Sequence, residues 1–171
     1  MTKSETGIPG AMVGHGHLKV ANLERAIAFY RDVIGMHVMM RYEDQAAFLS
    51  FDDYHHHLGL NTWESLAGSP PPHGHTGLYH IAFVFPDRKT LGQVIDRVRN
   101  VGYKLTGAAD HGVSEAVYLD DPDGNGLELY RDRPRSEWPS LENGETPIIN
   151  APLDVEALVQ EGRAAQCENQ F

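Results

Sequence analysis

The feature that most constrains this chain is that its pattern of elements occurs twice. A short apolar run at 15–20 (HGHLKV) leads into a helical segment at 22–34 that ends at Gly35, and three strand-like runs follow at 37–42, 46–51 and 55–61. The order repeats from Leu78. A strand at 78–85 (LYHIAFVF) precedes a helix opened by Asp87 and closed by Gly102, and then come runs at 103–108, 113–120 and 126–131. Leu23, Ile27, Tyr30 and Ile34 form one stripe at helical spacing, and Leu91, Val94, Ile95 and Val98 form its counterpart. The expected fold class is therefore α+β: two βαβββ modules, residues 13–62 and 78–131, pairing as curved half-sheets around a cleft. Residues 1–12 read as an extension, and 63–77 as a linker because its proline and glycine run cannot continue a helix. Residues 132–171 read as an arm with a short helix near LDVEALVQEG and a disordered end.

Composition narrows the partners. Acidic residues outnumber basic ones 24 to 14, a net charge of -10. With no Lys/Arg cluster, nucleic acid and anionic membranes are poor partners and a small molecule is the better one. No run approaches the roughly 20 apolar residues of a membrane span. The single cysteine, Cys167, leaves no internal disulfide and no cysteine zinc cage. A cytoplasmic location is expected.

Three side chains stand out against the repeat. His17 lies on the first strand of one module and His80 on the first strand of the other, both expected to face the cleft. His15 alternates with His17 and shares its face, a second choice for the same role. On the last strand, Leu127 and Leu129 point one way and Glu128 the other, so the carboxylate also faces the cleft and needs a partner there. Singly, each reads as easily as a hydrogen-bonded histidine or a solvated strand carboxylate. Grouped by the repeat, two neutral imidazoles and one carboxylate leave adjacent coordination positions open, a set suited to Fe(II), with Mn(II) as the alternative. The position matching Glu128 in the first module is Gly59, which supplies no fourth ligand.

The paired units, with GHGHLKVANLERAIAFYRDVIGM, LYHIAF and DPDGNGLELY, resemble the vicinal oxygen chelate superfamily of glyoxalases, bleomycin-binding proteins, fosfomycin-resistance proteins and extradiol dioxygenases. From His111 through Val117-Tyr118, Pro122 and Gly124 to Glu128, the chain is most similar to extradiol ring-cleaving dioxygenases of the catechol 2,3-dioxygenase kind. The resemblance implies metal ligands His17, His80 and Glu128, with His111 and Tyr118 beside them. It also implies an acid/base histidine in YHHHLGL, placed at His56, whereas strand parity prefers His57. The substrates implied are an aromatic diol and O2, and a homodimer or larger homo-oligomer is expected.

Three other functions share such a scaffold. A glyoxalase-type isomerase uses a fourth ligand, which Gly59 cannot supply. A fosfomycin-type thiol transferase should carry cations for a phosphonate, and the cleft strands are poor in Lys and Arg. A drug-sequestering protein needs no metal triad. Two other features read as bystanders: His73 and His75 as linker residues, and DPDGNG as a turn without the length of a calcium loop.

Overall fold

The computed structural model describes residues 8–140, 145–147 and 149–168. The expected disorder at the extreme C-terminus concerns residues 169–171, which lie outside the described residues. Two four-stranded mixed sheets carry the fold. The first has β1 (Gly16–Lys19), β2 (His37–Tyr42), β3 (Ala46–Ser50) and β4 (Leu58–Asn61) in the order β1-β4-β3-β2. The second has β5 (Ile81–Val84), β6 (Leu105–Asp110), β7 (Ser114–Asp120) and β8 (Gly126–Asp132) in the order β5-β8-β7-β6. In each sheet the first strand lies parallel to the last and the rest pair antiparallel. The repeated α+β architecture expected from the sequence is thus present, as two sheets and not as a closed barrel.

The helices form where their caps allow. Asn22 accepts a hydrogen bond from the Arg25 amide to open α1 (Leu23–Ala28), and Asp87 accepts one from Thr90 to open α2 (Arg88–Asn100). α1 does not stay an α-helix to Gly35: its last turns, Phe29–Ile34, are π-wound and end with Gly35 at φ 98°. The predicted stripes are buried, with Tyr30 and Leu91 both at 0% exposure, and one core joins both halves of the chain. Across that junction Arg25 pairs with Asp123 at 2.6 Å, and the buried Tyr30 hydroxyl donates to Asp121 at 2.9 Å.

The arm is more ordered than the sequence suggests. Helix α3 (Val155–Glu168) packs its Leu158 and Val159 into the core against α2. The two helices touch backbone to backbone, since a Cβ on Gly92 would lie 2.2 Å from the Leu158 carbonyl oxygen. Among the described residues no helix is long and apolar enough to cross a membrane.

Candidate metal and proton-transfer site

Strand pleating decides which side chains reach the open face. Along β1 and the residues flanking it the core takes Leu18 and Val20, leaving His15, His17 and Lys19 exposed on the other side. On β8 Leu127 and Leu129 are buried and Glu128 is turned the opposite way, as its alternation requires. β1 and β5 approach closely at Gly16, where a Cβ would meet Ile81 Cδ1 at 2.8 Å, so a larger residue there would push the Ile81 side chain aside. A cavity of about 780 Å³ at this junction is lined by His17, Lys19, His80, Ala82 and residues of the linker.

In the second sheet the expected residues form one connected chain. His80 Nε2 and Glu128 Oε2 lie 3.0 Å apart. Tyr118, directly across from Glu128 in the β7–β8 register, has its hydroxyl 3.1 Å from Glu128 Oε1. The same hydroxyl is 2.8 Å from His111 Nε2. Burial, reinforced by the Glu128 charge, pushes the Tyr118 phenol up to about 12, so it is a hydroxyl donor at neutral pH. His80 Nδ1 is buried and has no hydrogen-bond partner among the described residues.

The first sheet gathers a different group. His56 lies in the bend before β4, its ring centroid 4.3 Å from that of His15 and 5.0 Å from that of Phe48. Burial and the neighbouring histidines, His15 first, hold its pKa below the usual histidine value. His56 Nδ1 is 2.7 Å from His55 Nδ1. His57 turns away to Ser50, whose hydroxyl lies 2.8 Å from its Nδ1. His17 sits over Gly59, where a Cβ would come within 2.8 Å of its ring, and its Nε2 is 2.9 Å from the Asn61 side-chain amide. Desolvation lowers the His17 pKa, with His15 adding to the effect.

The register changes which β1 histidine matches His80. Gly16 pairs with Leu58 as Ile81 pairs with Leu127, and His17 pairs with Gly59 as Ala82 pairs with Glu128. Superposed this way, His80 answers to His15, and His17 answers to Ala82. The signal was available in the sequence: His15 and His80 each stand seven residues before the capping residue of the next helix, Asn22 and Asp87. Alternation alone cannot separate two residues on one face. Asn61 as the partner of His17, and the Ile149 carbonyl as a partner of His111, had no such signal because both depend on tertiary contacts.

In kind, the donors suit a divalent cation: imidazole nitrogen and carboxylate oxygen converge at His80 and Glu128, and two more imidazoles stand on the neighbouring strand. In number the gathering is incomplete, because among the described residues no group of three or more His, Cys, Asp or Glu is close enough together to hold an ion.

Comparisons with known proteins agree with this architecture. The family model described as Glyoxalase/Bleomycin resistance protein/Dioxygenase superfamily matches residues 12–129. The chain is 42% identical over 149 residues to the "Catechol-2,3-dioxygenase" of Bacillus subtilis (strain 168), covering 87% of this chain and 51% of that protein. It is 36% identical over 126 residues to "Biphenyl-2,3-diol 1,2-dioxygenase 3" of Rhodococcus globerulus, covering 70% of this chain and 63% of that one. A "Lactoylglutathione lyase" of Haemophilus influenzae is 28% identical over 127 residues, covering 70% of this chain and 91% of that protein. The chain therefore spans between about half and two thirds of the length of the two dioxygenases. Among solved structures, a "glyoxalase/dioxygenase" from Nostoc punctiforme shares the fold with a TM-score of 0.63 at 22% identity, covering 74% of this chain and 96% of that one.

Proposed function

Because the chain belongs to the Glyoxalase/Bleomycin resistance protein/Dioxygenase superfamily, we propose that it is an extradiol dioxygenase, opening a catechol-type ring with both atoms of O2 and a divalent cation, Fe(II) by preference and Mn(II) as the alternative. The observation that carries this reading is the connected chain His80–Glu128–Tyr118–His111, which joins two donors for a cation to a phenol and an imidazole able to handle substrate oxygens. The dioxygenases among the relatives support the same reaction class.

In this proposal the ligands are His80, Glu128 and either His15, just before β1, or His17 on it. The repeat register favours His15. His17 is the second reading, since it and His80 line the same cavity. When bound, the cation lowers the pKa of coordinated hydroxyls and couples an electron-rich ring to dioxygen.

The chain's own residues do the rest. His56 accepts the proton of a catechol hydroxyl at Nε2, the nitrogen left over when Nδ1 faces His55, and returns it as the ring opens. A histidine whose pKa is held down by burial is neutral at physiological pH and ready to accept. The Tyr118 phenol stays protonated, its hydrogen resting on His111 or Glu128 in the free site and turning to an ionised oxygen once substrate is bound. Phe48 and Trp63, with rings 5.9 and 5.7 Å from that of His17, offer apolar surface to the aromatic ring.

Oxygen uptake with a panel of catechols and hydroquinones tests the proposal. Fe(II)-loaded protein should consume O2 and release a coloured semialdehyde carrying both oxygen atoms. No uptake, combined with isomerisation of a hemithioacetal or formation of a thiol adduct, would replace the dioxygenase reading with one of the other activities of the scaffold.

A further inference from the structure

Residues beyond 129 lie outside the family match, yet one of them touches the proton-handling chain. The His111 ring is held between two partners: Nε2 is 2.8 Å from the Tyr118 hydroxyl, and Nδ1 is 2.9 Å from the main-chain carbonyl of Ile149. A carbonyl only accepts, so Nδ1 must carry the hydrogen and donate it. In a neutral imidazole that leaves Nε2 bare.

The carbonyl is fixed in place from several directions. Asp110, next to His111, bridges to Ala151 by two main-chain hydrogen bonds of 2.8 and 2.9 Å. Gly112, at φ +75°, brings its backbone against the Ile149 and Pro139 side chains, where a Cβ would lie 2.9 and 3.0 Å from them. Four residues beyond the bridge, α3 begins. It is anchored to α2 by the Gly92 and Gly162 backbone contact and by ion pairs Arg88–Glu161, Asp96–Arg163 and Arg99–Glu156.

We infer that the C-terminal arm is a working part of the site: the Ile149 carbonyl, held by the Asp110–Ala151 bridge and the docked α3, positions His111 as the Nδ1–H tautomer. The consequence falls on Tyr118. Its single hydrogen is contested by a bare Nε2 at 2.8 Å and by Glu128 Oε1 at 3.1 Å. With Nε2 ready to accept it, Glu128 keeps its lone pairs free to serve as a ligand. The other tautomer would place a hydrogen on Nε2, make His111 a donor to the phenol oxygen, and direct the Tyr118 hydrogen onto Glu128. A backbone carbonyl that selects the tautomer of a functional histidine is a common supporting arrangement; for histidines that ligate metals, losing such a partner typically lowers affinity or activity about 10- to 100-fold, and a loss of that order is expected at His111. The tautomer stands by itself; its effect on turnover rests on the dioxygenase reading.

Histidine 15N NMR on the full chain without added metal reads the tautomer directly, with the His111 signals assigned by their loss in His111→Gln. The wild type should show Nδ1–H with bare Nε2. Ala151→Pro deletes the amide that donates to Asp110, so His111 should move to Nε2–H, and kcat of the Fe(II)-loaded protein should fall ~10- to 100-fold with KM little changed. Ala151→Gly keeps the amide and should behave as wild type in both assays. If Ala151→Pro does not fold by circular dichroism, Gly112→Ala, which pushes on Ile149 from the other side, should give the same tautomer shift. An Nε2–H tautomer in the wild type, or an unchanged Nδ1–H tautomer in a folded Ala151→Pro, overturns the inference. Wild-type protein with Nδ1–H that consumes no oxygen with any catechol supports the inference and refutes only the dioxygenase proposal.

Discussion

At the scale of single residues, the proposed ligand set turns on whether His15 or His17 joins His80 and Glu128. Glu128 was legible in the sequence because its neighbours Leu127 and Leu129 had to be buried, and Tyr118 only through the resemblance of the stretch from His111 to Glu128 to a dioxygenase signature; the structure sets Tyr118 directly opposite Glu128 on β7. His15 and His17 were not separable in that way, since a pleated strand sends both to the same face. The register supports His15, and elemental analysis decides. Protein reconstituted with Fe(II) should hold one ion per chain, and His80→Ala, Glu128→Ala and His15→Ala should each lose it while His17→Ala retains it. A metal-replete Glu128→Ala would end the assignment; full metal in His15→Ala beside an empty His17→Ala would transfer the role to His17. The histidine triplet gives a second residue-scale prediction. His56 faces His15 and Phe48, whereas His57 is turned to Ser50. His56→Asn should retain metal and bind catechol but turn over ~100- to 10,000-fold more slowly, the usual effect of removing a general acid/base. His57→Asn, measured at the same metal content, should keep most of its rate, and the reverse pattern would reassign the proton transfer.

At the scale of elements, the sequence placed the helices by their caps and missed what depends on contact between them. Asp87 before an apolar stripe announced α2, and the structure has its carboxylate accepting the Thr90 amide hydrogen at 2.7 Å. Asp87→Ala should therefore destabilise the fold by ~1 kcal/mol at neutral pH. That amide, more than any nearby charge, holds the Asp87 carboxyl below its usual pKa. A depressed carboxylate pKa contributes stability that is present above the unfolded value of about 4 and is lost as pH falls through the folded value. The gap between wild type and Asp87→Ala in urea denaturation should thus narrow as pH falls below about 4, and a gap that stays constant would show that the cap does not act through the ionised carboxylate. By contrast, the tail was expected to hold only a short helix near LDVEALVQEG, which ends at Gly162. In the structure α3 runs through it to Glu168, and the missing side chain is what lets α3 lie against α2. Two effects oppose each other in Gly92→Ala. Helix propensity alone would stabilise by ~0.5–1 kcal/mol, but a Cβ 2.2 Å from the Leu158 carbonyl oxygen forces the helices apart, and overpacking of this sort costs ~1–3 kcal/mol or more. A lowered denaturation midpoint is expected, and a raised one would mean the crossing is loose.

At the scale of the whole molecule, the relation between folding and metal differs from that in small metal-dependent domains. The core is complete without an ion: it joins both sheets, α1, α2 and α3, and includes fully buried Tyr30, Leu49, Leu91 and Leu129. Among the described residues no three ligand-type side chains are close enough together to hold an ion, and in the proposed site His15 or His17 joins His80 and Glu128. Metal should then act as a stabilising ligand of an already folded protein, in contrast to zinc fingers, which are unfolded without their ion. Mass action sets the size of the effect. At a free metal concentration about 100 times Kd the gain is ~2.7 kcal/mol, and for a chain of this size each kcal/mol moves Tm by ~2–4 °C, so the melting temperature should rise by about 5–10 °C. The metal-free protein should still melt cooperatively, because its core does not depend on the ion. Glu128→Ala should melt cooperatively too but show no rise on adding Fe(II) under anaerobic conditions, since one of the two donors already converging in the second sheet is gone. Calorimetry separates the possibilities. A metal-free chain without a cooperative transition would mean that the ion organises the fold, and an undiminished metal-induced rise in Glu128→Ala would mean that the stabilising ion binds elsewhere.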